Sequence, residues 1–135
     1  MNRRFVARIL IILSALLFST YVFIPFFYMD FYAVQEVEYL YYQPSVAPVV
    51  FPYWLGWLMY GLFMVCYLLL YNGFYSARNV FLILILVDLF LTFMSGIHGT
   101  TGLERLLSSG ISILDGLILA ILYGERSLSR NVEIS

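Results

Sequence analysis

The stretch Leu82-Ile83-Leu84-Ile85-Leu86-Val87-Asp88-Leu89-Phe90 decides the fold: one carboxylate stands inside an otherwise unbroken apolar run. The run extends from about Asn79 to Ile97. A helix needs roughly 20 mostly apolar residues to cross the hydrocarbon core of a bilayer, so this segment reads as a membrane span. Three further stretches qualify on the same ground, from about Phe5 to Tyr28, Val50 to Tyr71 and Leu103 to Tyr123. The longest piece outside the spans is 29–49. Below about 40 residues a segment rarely folds without disulfides, metal or a partner, so residues 1–135 read as a single membrane domain.

Composition agrees. The chain is 63% hydrophobic and 11% charged, with a mean hydropathy of +0.93. A soluble domain runs nearer 45–50% apolar and about 25% charged. The net charge of −1 and the lack of a basic patch exclude a nucleic-acid-binding module. The expected fold is an all-α integral membrane protein, an antiparallel bundle of four transmembrane helices. Basic residues set its orientation. Arg3 and Arg4 precede the first span and Arg8 lies in its first turn, Arg78 separates the second from the third, and Arg126 and Arg130 follow the fourth. Only Arg105 falls on the other side. Both termini are therefore expected in the cytoplasm, in a multi-pass protein of a bacterial inner membrane. The apolar run behind Met-Asn-Arg-Arg is longer than the 7–15 residues of a signal peptide, and no small-x-small cleavage site follows Leu16-Leu17. An uncleaved first span is expected.

The connections carry their own signals. Loop 29–49 bears Asp30, Glu36 and Glu38 with no basic residue, among Phe31, Tyr32, Tyr39, Tyr41 and Tyr42. Tyrosine suits the membrane–water interface because its ring is apolar and its hydroxyl wet. The loop thus reads either as a segment on the membrane surface or as an acidic docking surface. Pro44, Pro48 and Pro52 make the run into the second span extended. Asn72-Gly73 marks a turn. His98, the only histidine, sits at a span end. Thr101-Gly102-Leu103-Glu104 fits the Ser/Thr-x-x-Glu capping box, and Gly124 is placed to end the last helix, with a polar tail behind it. Short second and third loops make spans two, three and four antiparallel neighbours.

Asp88 and Asp115 are the chemistry-bearing residues. Asp115 lies in Ile111-Ser112-Ile113-Leu114-Asp115-Gly116-Leu117, and both acids fall near mid-span. A charged residue at that depth costs at least about 2.5–3.5 kcal/mol, and no span interior offers a lysine or arginine to pair with it. Asp88, Thr92 and Ser95 share one helix face at i, i+4, i+7. Ser108, Ser112, Gly116 and Ala120 form a row of small residues of the kind that lets spanning helices approach closely. Tyr53, Trp57, Tyr60, Met64, Tyr67 and Tyr71 give the second span an aromatic face. Counting along the spans puts Tyr60 and Ser14 at the depth of the two acids. A layer of Ser14, Tyr60, Asp88 and Asp115 is expected, in which the acids, if adjacent, titrate as a pair.

Cys66 is alone and reads as a small buried hydrophobe, and no ligand set for a metal or motif for a cofactor occurs. No H-E-x-x-H, G-x-S-x-G or phosphate loop is found, and Asp115-Gly116 alone does not make an intramembrane aspartyl protease motif. The expected role is a non-enzymatic accessory or interaction subunit of a membrane complex, with the bilayer and a membrane-protein partner or a second copy as its surroundings. The alternative is a homo-oligomeric proton- or cation-coupled transporter or channel working through the two carboxylates.

Overall fold

The computed structural model describes residues 3–28, 51–74, 76–95 and 101–132. All elements among them are helical: α1 (Arg3–Phe23) with a 3-10 turn (Ile24–Phe27), α2 (Tyr53–Tyr71), α3 (Ala77–Ser95) and α4 (Gly102–Val132). Each contains a segment long and apolar enough to cross a membrane: Arg4–Phe27, Trp54–Tyr71, Ala77–Met94 and Gly102–Gly124. The chain is thus a multi-pass membrane helical bundle.

Local chemistry explains the boundaries. Pro25 has no N–H to donate and its ring crowds the preceding turn, so the α-helix gives way to 3-10 geometry at Ile24. Pro52 is extended and precedes α2. At the other end of α2, the Phe74 N–H donates to the Leu69 carbonyl and the Gly73 N–H to that of Leu70, both at 3.0 Å. This is a Schellman closure, and it needs Gly73 at φ 85°, where a β-carbon is costly. The capping box at α4 forms as the sequence implies. The Thr101 N–H donates to Glu104 Oε2 at 2.7 Å, and the Glu104 N–H donates to Thr101 Oγ1 at 3.1 Å.

Gly124, by contrast, does not end α4, which continues to Val132. A glycine inside a helix costs only about 1 kcal/mol, and Glu, Arg and Leu behind it are good helix formers. The residues from Glu125 are therefore helical up to Val132 rather than an unfolded tail.

The core lies where α1, α2, α4 and the first half of α3 meet. Ile11, Met59, Phe63, Cys66, Tyr67, Phe81, Leu84, Ile118 and Leu122 are buried in one cluster. Rings tie three helices together: Phe63 meets Phe18 of α1 at 5.2 Å and Phe81 of α3 at 6.1 Å. Packing also fixes the helix register. Arg8 lies over the Tyr71 ring, Ser14 meets Tyr67 and Ser19 meets Tyr60, so α1 and α2 run antiparallel.

One expectation about neighbours is corrected. α3 packs on α2, and α1 packs on both α2 and α4, but α3 and α4 barely touch. Their contact includes a clamp near the start of α3. Arg78 stacks over the Tyr123 ring at 4.8 Å and donates to the Leu122 carbonyl at 3.4 Å, and the Tyr123 hydroxyl donates to Asn79 Oδ1 at 2.7 Å. Beyond the clamp the two helices part. A short loop limits the separation of helix ends, but long-range packing decides which flanks close.

Candidate functional site

Where α3 and α4 part, they leave a groove of about 320 Å³, floored by Phe18 and Tyr21 of α1 and Phe63 and Tyr67 of α2. Its α3 wall carries Asp88 and Thr92; its α4 wall carries Ser108, Ser112, Asp115 and Gly116. The register of the clamp explains why the acids come together. Asp88 is nine residues after Asn79, and Leu114 is nine before Tyr123, so antiparallel helices bring Asp88 level with Leu114, beside Asp115.

The two carboxylates differ in their surroundings. Asp115 is buried. The Ser14 hydroxyl donates to its Oδ1. The Tyr67 hydroxyl lies 2.9 Å from the same oxygen and 3.2 Å from Oδ2, and the two hydroxyl oxygens are 3.0 Å apart. Three helices, α1, α2 and α4, thus converge on one carboxyl. Ser14 is completely buried, so its hydroxyl has no solvent to fall back on. Asp88 is exposed on the groove wall. Among the described residues no side chain donates to it, and the two acids, which line the same groove, share no hydrogen bond.

Tyr60 does not join Asp115: its hydroxyl pairs with Ser19 Oγ at 3.1 Å, farther along α1. Tyr67, two turns away on the same face, takes that place beside Asp115. Thr92 lines the groove. The side chain of Ser95 lies outside the described residues, as do Asp30, Glu36, Glu38, His98, Pro44 and Pro48. Ser108, Ser112, Gly116 and Ala120 are all exposed, so their row does not serve packing within this chain. A β-carbon on Gly116 would meet nothing within 4 Å. Instead, α4 buries Leu107, Asp115, Ile118 and Leu122. Its close approach to α1 is at Gly110, where an added β-carbon would come 3.4 Å from Leu17 Cδ1. Ser112 spends its hydroxyl on the Ser108 carbonyl, 3.0 Å away. Cys66 is buried and free. No three metal-ligating side chains gather among the described residues.

The arrangement separates two tasks. Asp115 with Ser14 and Tyr67 holds three helices together through satisfied polar contacts. Asp88, the exposed hydroxyl row and Gly116 present a polar, narrow-shouldered groove to whatever lies beside α3 and α4.

No family model, curated protein or solved structure matches this chain.

Proposed function

We propose that this chain is an accessory subunit of a membrane complex, and that the groove between α3 and α4 receives a spanning helix of a partner protein bearing an arginine or lysine at mid-depth. The observation that carries the reading is Asp88: a carboxylate in a span, exposed, with no donor from the described residues. Such a group at membrane depth needs a partner. The chain contains no lysine, and its arginines fall at or beyond the span ends, so a second copy has no cation to offer at that level. The row Ser108, Ser112, Gly116 on the facing wall lets a foreign backbone come close. The outer half of α3 supports the same reading. Leu86, Leu89, Phe90 and Phe93 are 55–79% exposed, so the face they form is left uncovered by the described residues.

The orientation proposed with this role places both termini on the cytoplasmic side of a plasma membrane of the bacterial inner-membrane type, on the distribution of arginines. The test is the intact mass of the gently extracted native complex. A stoichiometric foreign chain with a basic residue in a span is expected, and it is lost on Asp88→Asn. Recovery of the chain alone or as a homo-oligomer overturns the reading.

A second reading is favoured by one observation, that a single groove reaches both acids. In that reading the groove is a cation or proton path of a homo-oligomer. Flux in liposomes whose pH dependence changes in both Asp88→Asn and Asp115→Asn separates it from the first.

A further inference from the structure

The groove between α3 and α4 is layered along its length. Asp88 and Asp115 stand at one level of it. Tyr21 follows Ser14 by seven residues on α1, and Ser108 precedes Asp115 by seven on α4. These two helices run antiparallel: Ser14 meets Asp115, and Leu17 packs at Gly110. Tyr21 and Ser108 therefore share a second polar level, about 10 Å farther from the clamp, at about 1.5 Å per residue. Both line the groove.

Between the two levels lies a layer of rings. Phe18 comes four residues after Ser14, and Phe63 four before Tyr67. Their centroids are 5.2 Å apart, and both line the same groove. The order along the groove is thus carboxylate, rings, hydroxyls. Asp88 counts to mid-span, and half the hydrocarbon thickness is about 15 Å, so the hydroxyl level still lies within the hydrocarbon. Lipid tails offer a hydroxyl no partner. Tyr21 is half-buried, and among the described residues no hydrogen bond reaches its hydroxyl.

We propose, resting on the role given to Asp88 above, that the partner helix presents a three-part face: its basic residue, an apolar residue three or four positions away, and a side-chain amide seven positions away. Residues at those spacings share one face of a helix. Seven residues also span about 10 Å, the separation of the two polar levels. The basic group meets Asp88, and the apolar residue packs on Phe18 and Phe63. The amide carbonyl accepts from the Tyr21 hydroxyl, and the amide nitrogen donates to Ser108 Oγ. Asparagine and glutamine suit this level because each side chain both accepts and donates.

The test titrates synthetic leucine–alanine spanning peptides onto the full chain in mild detergent, read by fluorescence energy transfer. One peptide has a central arginine and one has none. Two more add to the arginine a glutamine seven residues before or after it. Controls place the glutamine five residues away, on another face. At least one of the seven-residue peptides is expected to bind about eightfold more tightly than the arginine peptide, the gain from two hydrogen bonds between spanning helices. The double variant Tyr21→Phe/Ser108→Ala is expected to remove that gain and to bind the arginine peptide as before. No gain from either peptide, an equal gain from glutamine five residues away, or a gain that survives in the double variant overturns the proposal. If the double variant does not fold, the peptides on the unaltered chain decide. An arginine peptide that binds no better than the one without arginine overturns the role of Asp88 and the proposal with it. Arginine-dependent binding without a glutamine gain overturns the proposal alone.

Discussion

Asp115 and Asp88 are the same side chain at nearly the same level of two helices joined by a short loop, and they stand in opposite circumstances. Asp115 faces inward, where α1 and α2 supply the hydroxyls of Ser14 and Tyr67. Asp88 lines the groove and receives no donor from the described residues. The difference extends along α3. Its first half is locked into the core by Phe81 and Leu84, whereas Leu89, Phe90 and Phe93 in its second half stand open. One helix thus serves as structure near its start and as surface beyond its middle. In lipid the apolar part of that surface costs little, because lipid tails are as apolar as the side chains themselves. The carboxylate is what lipid does not accommodate.

The largest effect should separate the two halves of α3. Phe81 is fully buried, so Phe81→Ala leaves a void at the junction of α2 and α3. A loss of about 3 kcal/mol is expected by detergent-titration unfolding of the isolated chain. Phe90→Ala removes the same atoms from a 58% exposed position, and should change stability by less than about 0.5 kcal/mol. Equal losses at the two sites would break the comparison, because they would mean that the second half of α3 is packed after all.

The next effect concerns the buried carboxyl. Asp115→Ala strands the hydroxyls of Ser14 and Tyr67 without their acceptor, at an expected cost of about 2 kcal/mol. Ser14→Ala and Tyr67→Phe should each cost about 1 kcal/mol, within the range found for hydrogen bonds between spanning helices. Because the three groups form one network, Tyr67→Phe made on top of Asp115→Ala should cost clearly less than it does alone. Additive losses would mean that the three act independently. Thr101→Ala, which removes the acceptor capping α4, should cost about 1 kcal/mol without affecting either acid.

Much of this was legible in the sequence, and the misses have physical causes. Hydropathy located the four spans because a bilayer filters for length and polarity. Thr101 and Glu104 announced their cap because its geometry is local. Tyr67 was passed over in favour of Tyr60 because both lie on one face, and depth was counted from span midpoints. The usable signal was the helix ends: Arg8 and Tyr71 mark one level, and stepping inward from that pair leads to Ser14 and Tyr67. The inward row of α4 was hidden for a different reason. The row that α4 buries, Leu107, Asp115, Ile118 and Leu122, lies beside the row of small residues, Ser108, Ser112, Gly116 and Ala120. A hydropathy pattern cannot tell a protein neighbour from a lipid one. The parting of α3 and α4 is likewise a matter of side-chain packing among four helices, which no local motif encodes.

The smallest effect on stability is also the most informative. Asp88→Asn keeps the size of the side chain and removes its charge. No hydrogen bond from the described residues is lost, so the isolated chain should unfold within about 0.5 kcal/mol of the parent. Its assembly should nevertheless fail, because a neutral amide leaves a partner's guanidinium or ammonium buried without a counter-charge, a penalty of several kcal/mol. Asp115→Asn offers the contrast: the amide oxygen still accepts from Ser14 and Tyr67, but the amide nitrogen brings protons where Tyr67 had an acceptor 3.2 Å away. Stability should fall by about 1 kcal/mol while the groove keeps the charge at Asp88 and with it the partner. A chain that assembles normally as Asp88→Asn and fails as Asp115→Asn would reverse these roles, and would move the recognition of the partner from the groove wall to the buried network.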